Sequence, residues 1–498
     1  MKPDEQRVAL PFAFTPVSAE FEALDLGDTR RNERGERVAA SWANSPEMSL
    51  PQALQSSAEI EGAYRFLNNH RVSHDALAAP HVRESWRRAV ESSSAGWVLS
   101  VEDTTELRFG GASERKGLGS LMNEGQGFFA HIALLACLVK TGESGGTPIP
   151  LGVGGSEFLV RPRAEKNKPA KLPKKAHDRH RHFAEDNEAL RWDRVTEEVD
   201  DVATEAGISV VHVADREGDK YAWLADLTAR GGRFVVRQTH NRKLAKDKDD
   251  DQPSYVSDLL AAPRVALATR IVRFESATTS GGRRRRENAR EGRETALEMH
   301  AVTATFKRPD VCRSDVPQVT LNIVHVREIN APEGEEPIEW KLMTSEPIAS
   351  AEDVLRVVDA YRARWLIEEF FKAIKTGCHY EHLQFQTLHA LQNALAICLA
   401  LSWHLLLLRT VSRDAPETPA SSVVTQSQLL LLVWIASFEN PWTVRLPPSP
   451  TARDVCFAIA RMGGHFKHNG PPGWLTLARG LRELERLAMA QRLLRREM

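Results

Sequence analysis

The run DAYRARWLIEEFFKAIKTG, from Asp359 to Gly377, holds no proline and no glycine before its last residue, and reads as one amphipathic helix that stops at that glycine. At about 100° per residue, Tyr361, Arg364, Glu368, Lys372 and Lys375 fall within an arc of roughly 80°, while Leu366, Ile367, Phe370 and Ile374 lie opposite. One face is built to enter a core, and the other presents a carboxylate among cations. The same rotation turns Glu369 about 80° away from Tyr361, so Glu368 is the glutamate of the cationic face. Glu–Arg and Glu–Lys pairs at i, i+4 spacing are common on ordinary surface helices, so this helix alone does not fix a function.

Upstream, two apolar runs end in acids. GWVLSVEDTT, from Gly96, reads as a buried strand followed by Asp103, and ISVVHVA, from Ile208, as another followed by Asp215. Both aspartates are expected to project from one edge of a sheet. An acid after a strand is often only a turn or helix cap. Together with a helix-borne glutamate, however, Asp103, Asp215 and Glu368 offer three oxygen donors of the kind that hold Mg²⁺ or Mn²⁺ and leave positions open for water and phosphate. Two such ions can polarise the attacking and the leaving oxygen of a phosphodiester.

The surroundings read as an α/β fold. GFFAHIALLACLV, from Gly127, is a further strand, Asn187 to Ala206 a helix, Lys220 to Arg230 another helix, and RFVVR, from Arg233, a strand. From Thr239 to about Ile338 the helical pattern stops, and Val265 to Phe274, Ala296 to Phe306 and Val319 to Arg327 are β-rich, suggesting an all-β insertion. The first eighty residues read as short helices. Asp28 can cap one in which Arg30, Arg34 and Arg37 share a face, suited to a DNA backbone or simply to water, and Ile60 to Asn69 forms a second. After Cys378 the chain is helical and leucine-rich, broken near Pro447, Pro448 and Pro450, and ends in an amphipathic helix around Leu481 to Leu494.

The blocks SVEDTT around Asp103, ADREGD around Asp215 and YRARWLIEEFFKAIKTG from Tyr361 resemble the DDE transposases of the insertion-sequence-four family. The last block matches that family's Tyr-Arg-Glu-Lys signature. The likeness extends to GDTRR from Gly27, EGAYRF from Glu61, RFVVR from Arg233 and WKLMTSEP from Trp340. It implies a ribonuclease H-like catalytic domain with a β-rich insertion between the second aspartate and the glutamate. Asp103, Asp215 and Glu368 would be the metal ligands, for Mg²⁺ with Mn²⁺ as substitute and two ions per site. Tyr361, Arg364 and Lys372 would hold phosphates near the cut, with Lys375 at the end of the signature. Arg237 would contact DNA, and Trp340 would stack in connection with a flipped base. Arg30 and Arg34 lie in the helices that would recognise transposon ends, and the C-terminal helices would form a homodimer on paired ends. The implied organisation is residues 1–80 for end binding, 81–240 and 339–377 for the catalytic domain, 241–338 for the insertion and 378–498 for dimerisation. The implied reaction is strand hydrolysis, hairpin formation and opening, and strand transfer into target DNA. At Gly127 the stretch GFFAH departs from the family, which has tryptophans there.

Composition narrows the class without choosing it. The chain has 498 residues, 42% hydrophobic, enough for two to four domains with real cores. Its 66 Lys+Arg and 67 Asp+Glu nearly cancel, so global charge does not argue for nucleic acid. Locally, Arg161 to His182 carries nine Lys/Arg against two acids and suits DNA phosphates or solvent equally. His177, His180 and His182 there lack the partners of a zinc site. The five cysteines contain no CxxC and read as reduced. No basic start precedes an apolar stretch, and the most apolar run, Ala394 to Leu408, is short, so a cytoplasmic protein is expected. Two other functions share these acids: a ribonuclease H-like nuclease that cuts without joining, and a catalytically silent transposase-derived DNA-binding protein.

Overall fold

The computed structural model describes residues 9–54, 56–111, 114–122, 125–140, 145–162, 187–245, 253–274, 293–438, 444–466 and 470–497. The basic segment after residue 162, its three histidines and the runs at Lys246 and Arg283 lie outside the described residues.

In chain order, α1 (Val17–Glu20), α2 (Thr29–Ala43), α3 (Leu50–Ala53), α4 (Ser57–Leu67) and α5 (His74–Ser92) precede β1 (Val98–Phe109), β2 (Gly119–Ser120), β3 (Gln126–Lys140) and β4 (Gly146–Leu159). Next come α6 (Leu190–Glu205), β5 (Val210–Ala214), α7 (Tyr221–Ala229), β6 (Arg233–Arg237), α8 (Val256–Ala261), β7 (Ala268–Phe274), β8 (Arg293–Lys307), β9 (Gln318–Ile329) and β10 (Glu339–Thr344). The chain ends with α9 (Ala351–Ala363), α10 (Trp365–Lys372), α11 (Leu388–Asp414), α12 (Gln426–Ala436), α13 (Ala452–Met462) and α14 (Trp474–Glu497). These elements fall into two compact units. The first takes the N-terminal part through β4, then Glu188–Val210 and everything from Ala363; the second is Val211–Arg362.

In the first unit β3 is the spine, pairing antiparallel with β1 from Val98↔Cys137 to Phe109↔Gln126 and with β4 on its other side. Its apolar residues are buried because helices cover the strands: α5 packs on β3 and β4, and α11 on β4 and α5. Trp86 Nε1 donates to Gly154 O at 3.2 Å and Trp403 Nε1 to Pro150 O at 3.1 Å, tying both helices to β4. The close approach of α5 needs a missing side chain. Gly152 has φ +130°, beside a register shift in the β3–β4 ladder, and a Cβ there would lie 2.0 Å from Ser85 Oγ. Helix α11 is long and apolar enough to cross a membrane, but 89% of its most apolar window is buried inside the protein. Helix starts follow local chemistry: Asp28 accepts from Arg31 N at 3.0 Å at the head of α2, and Ser56 from Glu59 N at 3.2 Å at the head of α4.

The second unit holds a mixed sheet ordered β5-β6-β10-β9-β8-β7. Only β5 and β6 among these run parallel, joined through α7; the other pairs are antiparallel.

Four expectations need correction. Residue 80 falls inside α5, whose buried face runs on to Ser92, so no boundary lies there. The stretch 241–338 is not a separate all-β insertion: it contains α8, and β9 pairs with β10, which pairs with β6, so its strands extend the sheet begun at β5. Asp103 sits within β1 rather than at its end, opposite Ile132, because β3 pairs with β1 through Phe109 and the β-branched Thr104 and Thr105 continue the strand. The helix around Glu368 is also not continuous. It breaks at Arg364, between α9 and α10, and runs from Ala373 to Gly377 as a π turn closed by Cys378 N donating to Ala373 O at 2.9 Å. Nothing in the side chains at Ala363 and Arg364 marks the break.

Candidate active site

Asp103 is half-buried, and its Oδ1 accepts from the backbone N of Thr104 at 2.7 Å. Alternation along β1 sends its neighbours Glu102 and Thr104 to the opposite face. There they join a buried network: Thr104 Oγ1 lies 2.9 Å from His131 Nδ1 and accepts from Arg191 Nε at 2.9 Å, while Glu102 accepts from Ser100 Oγ at 2.9 Å and Thr196 Oγ1 at 3.3 Å. Burial lowers the His131 pKa, against the pull of Glu102 beside it. Sequence reasoning missed this backing layer, since Glu102, His131 and Arg191 are far apart in the chain.

Glu368 lies on α10, which packs against β1. Its side chain is 32% exposed and accepts from Arg364 Nη2 at 2.6 Å, the expected i, i+4 pair. Arg364 and Lys372 both lie over the Trp365 ring, 5.9 and 5.1 Å from its centroid. The remainder of the expected cationic arc is not assembled. Lys372 donates to Glu369, not Glu368, at 2.6 Å. Lys375, carried away by the π turn, is half-buried; burial lowers its pKa, and Glu381 and Glu106 oppose the shift. The arc assumed uniform rotation, which the break at Arg364 and the π turn both interrupt. In the N-terminal helices Arg30 is exposed, as a DNA contact requires, whereas the Arg34 guanidinium packs over Gly62 of α4, filling the space its missing side chain leaves.

In the second unit Asp215 directly follows β5, as expected. It heads a 3₁₀ turn, its Oδ1 accepting from Glu217 N at 2.7 Å, and remains partly exposed. The turn is anchored by Asp219, fully buried, which accepts from Thr239 N at 2.6 Å, His240 N at 2.8 Å and Arg242 Nε at 3.0 Å. That anchor was legible only as an acid in ADREGD. Arg237 ends β6 and lines a cleft of about 390 Å³ with Arg216, His240, Asn241, Glu339 and Lys341, which sets three cations beside one carboxylate. Its Nη2 donates to Glu339 O at 3.3 Å. Trp340 is half-buried and meets Tyr361 edge to face, ring centroids 5.5 Å apart. Tyr361 is 6% exposed, so it lies in the core instead of on the outer face.

Among the described residues no group of three or more His, Cys, Asp or Glu side chains is gathered to hold a metal ion. Asp103, Asp215 and Glu368 are each a carboxylate with some exposure, the donor type that a hard divalent cation takes.

Two family models match the chain. One, described as transposase DNA-binding, covers residues 16–72, from α1 through α4; the other, described as transposase DDE domain, covers residues 159–403. The second match contains Asp215, Arg237, Trp340, Tyr361 and Glu368 and begins after Asp103. The chain thus carries a DNA-binding domain followed by a DDE domain, and the two together support a DNA transposase of the DDE type, a DNA-processing enzyme.

Proposed function

We propose that this chain is a cut-and-paste transposase of the insertion-sequence-four kind, its signature block most like that of the transposon-five transposase. In this reading it cleaves transposon ends through a hairpin intermediate and joins them to target DNA. Asp103, Asp215 and Glu368 are the carboxylates of the reaction, within a ribonuclease H-like catalytic domain. The observation that carries this is Glu368: a part-exposed carboxylate held by Arg364 on a helix packed against the strand of Asp103, in a chain with both transposase domains. Mg²⁺, with Mn²⁺ as substitute, is the cofactor proposed for those carboxylates; bound there, such ions would polarise phosphodiester oxygens.

The remaining roles fall to the chain's own groups. Arg364 offers its guanidinium to a phosphate beside Glu368, and Lys372 and Lys375 follow it in the signature. Arg216, Arg237 and Lys341 line a recess that suits the DNA backbone. Trp340, with Tyr361 against its ring, presents an indole for a displaced base. Arg30 and Arg34 belong to the matched DNA-binding domain. Pairing of two copies is supported by α12, where Leu430, Val433 and Trp434, with Phe438 just beyond, are exposed apolar side chains on one side of a helix.

The test is a plasmid carrying the inverted repeats that flank the coding sequence, incubated with the protein and Mg²⁺. Hairpin ends and joined products are expected, and D103N, D215N and E368Q should give neither. Nicked DNA that is never joined would favour the nuclease reading, and wild-type protein that binds without cutting would favour the silent one.

A further inference from the structure

The residue next to Glu368 is built in the opposite way. Glu369 has a side chain only 9% exposed, with Oε1 accepting from Lys372 Nζ at 2.6 Å and Oε2 accepting from Arg409 of α11. Arg409 lies in turn with its guanidinium carbon 4.5 Å from the ring centroid of Trp474, the first residue of α14. The π turn that follows α10 packs on both α11 and α14. At Gly377 a Cβ would stand 2.8 Å from Leu405 Cδ1 and 3.8 Å from Trp474 Cβ, so a larger residue there would displace the tip of the Leu405 side chain. Helix α10 is therefore held at its middle by the ion pairs of the nearly buried Glu369 carboxylate and at its end by a turn packed against Leu405 and Trp474.

Consecutive helical residues differ by about 100° in direction, so holding Glu369 determines where Glu368 points. Rotating α10 to lower Glu368 toward the core would pull a buried carboxylate from its cation, which a low-dielectric interior strongly resists. We infer that Glu369, Arg409 and Trp474 are positioning residues for Glu368, so that the docking of the C-terminal helix α14 is felt at the cleavage site. This rests on the reading of Glu368 given above. In this role the three residues act by fixing a rotation.

The experiment compares cleavage of a duplex bearing the flanking inverted repeat, at saturating protein, with binding of the same duplex and with thermal unfolding. E369Q and R409M should each slow cleavage at least tenfold, leave the dissociation constant for the duplex within about twofold, and lower the melting temperature. The decisive variant is E369M/R409M, which removes both charges together and so leaves neither buried alone. Its melting temperature should return to within a few degrees of the parent while cleavage stays at least tenfold slow. R409K should recover part of the rate, and W474F more of it than W474A. Cleavage that recovers with melting temperature in the double variant, or single variants that cut at the parental rate, would overturn the inference. E368Q serves as control. If it cuts normally, the reading of the site itself fails, whereas a dead E368Q beside normal Glu369 variants sinks only the positioning role.

Discussion

Asp103 and Asp215 belong to one proposed chemistry, but their surroundings solve the problem of holding a carboxylate in different ways. Asp103 is set inside a long antiparallel strand, and what stiffens it is a buried polar layer on the reverse side: Glu102, Thr104, His131 and Arg191. Asp215 stands where a short parallel strand stops, held by its own turn and by the Asp219–Arg242 anchor four residues on. In one place the strand supplies rigidity and the network guards it; in the other the loop does the work, and one buried ion pair guards the loop. An acid can thus be positioned by pairing in a ladder or by capping a turn, and the two should respond differently to mutation.

The largest expected effect is one the two sites share. D103N and D215N should each reduce cleavage on the order of a thousandfold or more, the loss of several kcal/mol of transition-state stabilisation, while gel shifts show DNA binding retained. If D103N cut well while D215N did not, the two acids would not be partners and the comparison would collapse. Next comes the support behind each acid. R242M leaves the buried Asp219 charge unpaired and should cost about 3–5 kcal/mol in denaturant unfolding. R191M, which removes a donor from Thr104, should cost about 1–3 kcal/mol. A reversed order would mean that the network, not the anchor, carries the greater load.

A pH titration sharpens the Asp103 side. Burial lowers the folded-state pKa of His131, and of His325, His379 and His404. A histidine whose folded pKa is depressed leaves the unfolded chain binding more protons below about pH 6.5, so stability present at neutral pH is lost as pH falls through that unfolded value. Melting temperature should decline from pH 7 to pH 5, and H131N should flatten part of that slope; an unchanged slope would remove His131 from the account. The smallest effect falls on the Asp215 turn. D215A should cost about 1 kcal/mol by losing the cap to Glu217 N, whereas D215N, which keeps an acceptor, should be close to neutral in stability. Equal costs for the two would show that the turn does not depend on its cap.

Much of this frame was legible in the chain because it rests on local pattern. The apolar runs around Val98, Val210 and Arg233 became strands, Asp215 fell at a strand end, Asp28 capped its helix, and Glu368 kept its i, i+4 partner. Other features were decided by residues distant in sequence. The alternation that marks a strand says nothing about how far a partner strand will extend it, which is why Asp103 was placed at an end instead of in the interior. Periodicity assumes a regular helix, so the π turn could not be read, and with it went the cationic place of Lys375, while the burial of Tyr361 is set by what packs around it. Burial of Glu369 depends on Arg409, forty residues away, and that of Asp219 on Arg242.

Helix α11 carries a last consequence, for the making of the protein. Its 27 residues include the most apolar stretch of the chain, and in water they would be a hazard until covered. The two largest of the surfaces that cover it, α5 and β4, end at Ser92 and Leu159, so they leave the ribosome well before Leu388 is added, while α13 follows it. At about 5–20 residues per second the gap between Leu159 and Leu388 lasts roughly 10–50 s, while hairpins form in about 1–10 μs. The order of the gene thus sets out the cradle before the helix that needs it, and a circular permutant that begins at α11 would synthesise that helix with nothing to receive it.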